Sequence, residues 1–308
     1  MFSFTALSDA VDLGPTAVTI GKFDGIHRGH QALLSALCAA AAEHNLKAVL
    51  VTFDRHPDAL LNPGSLKWPL IGPHQKASLV AAVGIDALHT LTFDDALARQ
   101  SAQDFVQETL VDGLRAKIVI VGEDFRFGAG GAGDVSLLHE LGKQFGFEVR
   151  VIPSATEAGL KVSTSAIREL LDQGNVATAS QLLGRVHTTV GVIEHGLKIG
   201  RTIGFPTANM SREAEGYLPL DGVYAGWLVA DGQRYPAAHS VGINETFQAV
   251  PRLVESHVLD RKDLDLYDKT VTLEYVDFVR PSAKFDGVDA LVAEINRDLD
   301  KIRNILGL

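Results

Sequence analysis

Apolar residues fall in two textures along the chain. In the first half, short runs at Ala17–Ile20, Ala48–Phe53, Lys117–Val121 and Phe147–Ile152 are separated by stretches whose apolar residues recur by threes and fours, such as Leu33, Leu34, Leu37 and Ala41. Runs of that length, ended by glycine or proline and linked by helical spacing, predict an α/β domain whose parallel strands are covered on both faces. From about residue 186 the texture changes. Val223–Val229 leads through Asp231-Gly232 into Tyr235–Val241, Val254 and Val258 alternate with Glu255 and His257, and Thr270–Phe278 alternates likewise. These features predict a hairpin within an antiparallel sheet or small barrel. Val288, Leu291, Val292, Ile295, Leu299, Ile302 and Leu306 then predict one amphipathic helix over 287–306. The boundary is expected near Gly184–His187, after a helical stretch at 176–183, giving domains at 1–185 and 186–308.

Composition agrees with two domains. At roughly 150 residues per domain, 308 residues suffice for two cores. Lys and Arg number 28 against 38 Asp and Glu, a net charge of −10, which disfavours nucleic acid as the main partner. Small-molecule substrates are expected instead, and the oligomeric state is left unspecified. The one cysteine, Cys38, lies in an alanine-rich run and reads as a small buried hydrophobe. No Lys or Arg precedes Lys22 and no apolar run approaches the ~20 residues of a membrane span, so a soluble cytoplasmic protein is expected.

The candidate chemistry sits where strands end. Gly21-Lys22-Phe23-Asp24-Gly25-Ile26-His27-Arg28-Gly29-His30 joins the first run to the first helix. Glycines at such a turn let backbone N–H groups approach a phosphate, and two histidines at i, i+3 can hydrogen-bond a phosphate in displacement. Zinc is the weaker reading, because no third ligand has a suggestive spacing and Arg28 opposes a cation. Ser163-Thr164-Ser165-Ala166-Ile167-Arg168 offers three hydroxyls and a cation at a helix start, more than one cap needs. Val121–Gly128, with Asp124, ends another strand. Gly128–Gly133 satisfies G-x-G-x-x-G, but it does not follow its strand directly and no acidic strand end follows, so a flexible loop is expected there.

These segments resemble the HxGH signature of nucleotidyltransferases and, together, the adenylyltransferase module of bacterial bifunctional riboflavin kinase/FMN adenylyltransferases, also called FAD synthetases. The resemblance implies a Rossmann-like domain that binds ATP through Gly21, Phe23, Asp24, Gly25 and Gly29. In that family the FMN phosphate attacks the α-phosphorus directly. His27 and His30 would stabilise the transferring phosphate, Asp124 would help hold the nucleotide, and Thr164, Ser165 and Arg168 would grip the outer phosphates. Thr-Ser replaces the family's usual Ser-Thr, and Ala166 stands where Arg is frequent.

The second half carries its own set. Gly196, Lys198, Gly200, Arg201, Gly204 and Pro206 form a glycine-rich, cationic loop that ends in Thr207-Ala208-Asn209. Such a loop can wrap phosphates while Thr207 and Asn209 offer hard oxygens to Mg²⁺, and Glu255 on an open strand face can accept a hydroxyl proton. This set resembles the riboflavin kinase module of the same family, a barrel ending in a helix. By that resemblance Thr207 and Asn209 would bind Mg²⁺ and phosphates and Glu255 would be the general base. Glu245 replaces a usual Pro and Asp268 a common Gly. The implied activity is riboflavin to FMN and then FMN to FAD, each step using ATP. Two rivals are a flavin- or nucleotide-binding regulator with one module inactive and, resting on Gly128–Gly133 alone, a nicotinamide-dependent oxidoreductase.

Overall fold

The computed structural model describes residues 1–55, 60, 68–157, 159–196, 199–242 and 252–308. They form two compact units, residues 1–69 with 73–162 and residues 70–72 with 163–308.

In the first unit, six strands make one parallel sheet: β1 (Phe2–Phe4), β2 (Thr16–Ile20), β3 (Lys47–Phe53), β4 (Ala87–Leu91), β5 (Ala116–Gly122) and β6 (Glu148–Ile152). Their order is β1-β4-β3-β2-β5-β6. β2 is buried along its whole length, as expected of a β-branched run covered on both faces. Val18, Val49, Val119 and Val121 share one core with Leu138 and Phe105. Helices α1 (Arg28–Glu43), α2 (Pro73–Val83) and α3 (Val135–Phe145) connect the strands. Leu34 and Leu37 of α1 are fully buried, each contributing roughly 2 kcal/mol. The chain builds outward from β2 through β3 to β4, then returns to place β5 on β2's other side. That reversal opens a crevice at the carboxyl ends of β2 and β5. A two-stranded ribbon, β7 (Thr156–Glu157) and β8 (Leu160–Lys161), completes the unit.

Gly128–Gly133 is not the loose loop expected. Phe127 and Gly133 exchange backbone hydrogen bonds of 3.1 and 2.9 Å around a 3₁₀ turn at Ala129–Gly131, and a Cβ on Gly128 would lie 2.6 Å from the Ala102 nitrogen. Gly128 and Gly133 thus serve tight packing, while Gly130 and Gly131, at φ 62° and 68°, serve the turn itself. Cys38 is half-buried rather than buried, and its thiol, with its pKa raised first by burial and then by Asp86, points to the Val83 carbonyl.

In the second unit, β9 (His187–Glu194), β10 (Ala208–Met210), β11 (Gly222–Ala230), β12 (Gln233–Gly242), β13 (Leu253–Val258) and β14 (Thr270–Pro281) close an antiparallel barrel in the order β10-β13-β12-β11-β14-β9. Asp231 and Gly232 both have left-handed backbones, φ 51° and 74°, as the predicted hairpin requires. The final helix, α6 (Val288–Leu306), lays Leu299 and Ile302 against Ala225 and Leu259. Inside the barrel are His187, His239, Thr189, Ser256, Tyr224 and Tyr275, all buried. The helices α4 (Thr164–Asp172) and α5 (Val176–Leu183) belong to this unit too, α5 packing on β9 and β14. The compact units therefore divide at 162/163, whereas the sequence reading draws its functional boundary at 185/186; the difference is this helical pair.

Candidate active sites

The turn from Gly21 to Gly29 lies at the crevice. Two of its residues, Phe23 and Ile26, have left-handed backbones, φ 45° and 41°, although both are large and 1% exposed. For a β-branched residue this is a true outlier, and strain of about 1–3 kcal/mol per residue is held in place by burial of both side chains. Gly25, at φ 86°, takes the same region without that cost. Gln31 Nε2 donates to the Ile26 carbonyl at 2.8 Å and stiffens the turn from within α1.

His27 is the N-cap of α1: its Nδ1 accepts from the His30 backbone N–H at 3.3 Å. In the neutral ring this acceptance puts the proton on Nε2, so the ring presents an Nε2–H donor. The His27 and His30 rings stack at 3.7 Å between centroids, and Phe23 packs against the second at 4.8 Å. A Cβ on Gly29 would come within 3.3 Å of the His27 ring, so the glycine between the histidines leaves room for that ring. Burial first, then His27 and Lys76, push the His30 pKa well below its ordinary value, and His30 Nδ1 is a buried atom with no hydrogen-bond partner. Near neutrality His30 is therefore an uncharged ring. The pair can donate to phosphate oxygens without charge repulsion between the two rings.

Gly21 and Asp24 share this turn. Asp24 is buried, and a Cβ on Gly21 would meet the Phe23 ring at 3.1 Å. Arg28 pairs with Glu157 at 3.6 Å. Asp124 follows β5 at the other side of the crevice; it is exposed and lies 3.7 Å from Lys161. Thr164, Ser165 and Arg168 begin α4, in the second compact unit. There Ser163 is the cap, accepting from Ala166 N–H at 3.2 Å, and Arg168 is buried. Among the described residues no three His, Cys, Asp or Glu side chains cluster as a metal site.

In the barrel, β10 and β13 pair so that Asn209 faces Glu255, and on β10's other side Asn209 faces Glu194. β12 adds Ser240 opposite Glu255. This polar row lines a cavity of about 830 Å³, of a size for a drug-sized ligand, whose far wall includes Arg280, Phe285 and Leu291. Thr207 lines it as well. A Cβ on Gly196 would fall 2.2 Å from Asn209 Nδ2, and one on Gly200 would fall 2.3 Å from the Phe205 carbonyl oxygen. Both glycines thus let the loop close around Thr207 and Asn209. Gly204, at φ 92°, makes the turn before Phe205-Pro206, and Arg201 lies in the last turn of a short helix at Ile199–Thr202.

His257 Nδ1 is 2.8 Å from the Pro206 carbonyl, so Nδ1–H donates and pins the loop to β13. Burial lowers the His257 pKa despite that bond. Asp268 takes a left-handed backbone, φ 59°, a region that Gly enters freely and that Asp enters more readily than most other residues. Lys198 and Glu245 lie outside the described residues. Sequence reasoning missed Glu194, whose position beside Asn209 only the strand register reveals, and the bond from Arg280 Nε to Asp298 Oδ2 at 2.8 Å in the cavity wall.

The donors present suit a hard divalent cation: a hydroxyl, an amide oxygen and flanking carboxylates, with glycines clearing the space around them.

A doubly wound sheet with a His-Arg-Gly-His turn at its crevice, joined in one chain to a closed barrel with a Pro-Thr-Ala-Asn loop, defines a two-module enzyme of nucleotidyl and phosphoryl transfer. The family model of FAD synthetase matches residues 10–166, and that of riboflavin kinase matches residues 183–306. The chain is 35% identical over 292 residues to the bifunctional riboflavin kinase/FMN adenylyltransferase of Escherichia coli K12, covering 94% of this chain and 93% of that protein. The enzyme of the same name from Listeria monocytogenes is 34% identical over 91% of this chain and 89% of its own. A solved structure described as a macrolide-efflux protein from Streptococcus pneumoniae superposes with a TM-score of 0.88 at 33% identity, covering 98% of each chain. This chain belongs to the bifunctional riboflavin kinase/FMN adenylyltransferase family. It is an enzyme of flavin cofactor biosynthesis, with riboflavin, FMN and ATP as substrates and FAD as the final flavin. Among the described residues no helix is long and apolar enough to cross a membrane.

Proposed function

We propose that the two reactions divide between the two candidate sites, with functional domains at 1–185 and 186–308. The observation that carries the division is that each family match contains one glycine-framed site: the stacked histidines within 10–166 and the Asn209–Glu255 pair within 183–306.

At the barrel, riboflavin occupies the cavity beside Glu255. Glu255 takes the proton of the ribityl 5′-hydroxyl as that oxygen attacks the γ-phosphorus of ATP, and the bond to the β-phosphate oxygen breaks to release ADP. Thr207 and Asn209 hold Mg²⁺, which when bound neutralises phosphate charge. The backbone at Gly196, Gly200 and Gly204, with Arg201 and Pro206, shapes the phosphate loop.

At the sheet, a phosphate oxygen of FMN attacks the α-phosphorus of ATP, and the bond to the β-phosphate is broken to release pyrophosphate. The Nε2–H of His27 and neutral His30 donate to the α-phosphate oxygens as negative charge spreads over them. Gly21, Phe23, Asp24, Gly25 and Gly29 shape the ATP turn, with Asp124 at its rim. Thr164, Ser165 and Arg168, at the start of α4, offer two hydroxyls and a guanidinium suited to phosphate oxygens. Neither module is a regulatory remnant, a reading supported by the match of both family models along the chain. Soluble substrates favour a cytoplasmic location.

The test is a time course with riboflavin, ATP and Mg²⁺, with flavins separated by chromatography. FMN should rise and then give way to FAD. Riboflavin left unchanged by folded protein would refute the proposal.

A further inference from the structure

Lys76 belongs to none of the motifs above. It sits in the first turn of α2, a helix that enters the sequence after β3, yet its side chain runs back to the glycine turn. Its Nζ donates to the Lys22 carbonyl at 2.9 Å and to Thr52 Oγ1 at 3.2 Å, and Thr52 Oγ1 in turn donates to the same carbonyl at 3.2 Å. Thr52 is 1% exposed, at the end of β3. Lys22 directly precedes strained Phe23. The ammonium thus joins the carboxyl ends of the two central strands at the residue where the turn leaves the sheet.

We propose that Lys76 is a positioning residue for adenylyl transfer, holding the strained turn through the Lys22 carbonyl and setting a fixed positive charge behind the His27–His30 pair. The proposal rests on the reading of that pair as the phosphate-stabilising group. Two consequences follow from the geometry. Without the clasp, Phe23 and Ile26 can relax from their left-handed backbones, and the His30 ring packed on Phe23 moves with it, taking the stacked His27 ring along. Its charge adds to burial and to His27 in disfavouring a proton on His30, while burial lowers the pKa of Lys76 itself and Asp24 opposes that lowering. The groups facing His30 are His27 from its own helix and Lys76 from α2, while Asp24 of the turn faces Lys76. Removing Lys76 takes away the cation among these groups, and His30 gains a proton at higher pH.

The experiment compares Lys76→Met, which keeps length but not charge, Lys76→Arg, which keeps charge, and Thr52→Val, which removes one anchor. Each full-length variant is assayed separately for riboflavin phosphorylation and for FMN adenylylation across pH 5.5–9, and the His30 ring is titrated by NMR. In Lys76→Met, kcat for adenylylation should fall about ten-fold or more, with KM for FMN changed less than about two-fold. The acid limb of its pH profile and the His30 titration should both move to higher pH, and phosphorylation should be unchanged. Lys76→Arg should restore the His30 titration and part of kcat, and Thr52→Val should lower kcat without moving the titration. An unmoved His30 titration in Lys76→Met, or adenylylation equal to wild type, overturns the proposal. If the titration moves while a His30→Ala variant still adenylylates FMN at the normal rate, the reading of the histidine pair fails instead.

Discussion

The barrel interior makes stability sensitive to acid. Burial lowers the pKa of His187 to about 4, opposed by its bond to the Tyr217 carbonyl at 2.7 Å and assisted by Arg185. Burial lowers His239 to about 4 as well; its Nε2–H donates to the Glu274 carbonyl at 3.2 Å, so its Nδ1 accepts from the Ser256 hydroxyl. In the unfolded chain each ring returns to about 6.5. Because the folded values are depressed, the unfolded state binds more protons below pH 6.5. Stability is complete above that value and falls as the pH drops toward 4. At about 1.4 kcal/mol per unit, the full penalty is about 3 kcal/mol per ring, of which about 2 kcal/mol is already felt at pH 5. The two rings together should therefore cost about 4 kcal/mol between pH 7.5 and pH 5. Urea unfolding can be followed by Trp227, which lies on β11 under Arg234 at 4.1 Å, in a Trp68→Phe background that removes the exposed indole. His239→Gln, which keeps an amide donor, should remove about half the slope. A flat profile from pH 7.5 to 5, or a slope unchanged by that substitution, would refute the account of the barrel core.

Three further outcomes separate the sites. Gly29→Ala places a Cβ 3.3 Å from the His27 ring and should lower FMN adenylylation about ten-fold or more while leaving riboflavin phosphorylation intact, as read in separate steady-state assays. Gly196→Ala places a Cβ 2.2 Å from Asn209 Nδ2 and should abolish phosphorylation but not adenylylation; equal loss of both would point to misfolding instead. His27→Ala and His27→Asn should lose adenylylation alike. Only the asparagine keeps an acceptor for the His30 N–H, so thermal unfolding should show it about 1 kcal/mol more stable than the alanine variant.

Where apolar runs were continuous and bounded, the sequence was readable: β2, β3, β5 and β6 fall where expected, as do the Asp231-Gly232 hairpin and α6. β1 and β4 went unseen. β1 is three residues at the sheet edge, and β4, Ala-Leu-His-Thr-Leu, mixes a buried histidine into its run. The nucleotidyltransferase turn was legible as composition, but its working geometry was not. No pattern of residue types announces that Phe23 and Ile26 are left-handed, or that His27 spends one ring nitrogen on a cap. Lys76 and Glu194 were invisible for a different reason: each joins its site through tertiary pairing from an element distant in sequence. The same cause separates α4 and α5 from the sheet, since helical periodicity does not say which core a helix joins.

Two independent sites in one chain are the central claim, and mixing two defective variants tests it most directly. His27→Ala should convert riboflavin and ATP to FMN and stop there, while Glu255→Gln should make no FMN yet adenylylate FMN that is supplied. Combined in one vessel, the two should make FAD from riboflavin, with FMN passing through solution from one protein to the other. If either variant, folded, lacks both reactions, or if the mixture yields no FAD, the division of labour between the sheet and the barrel is wrong.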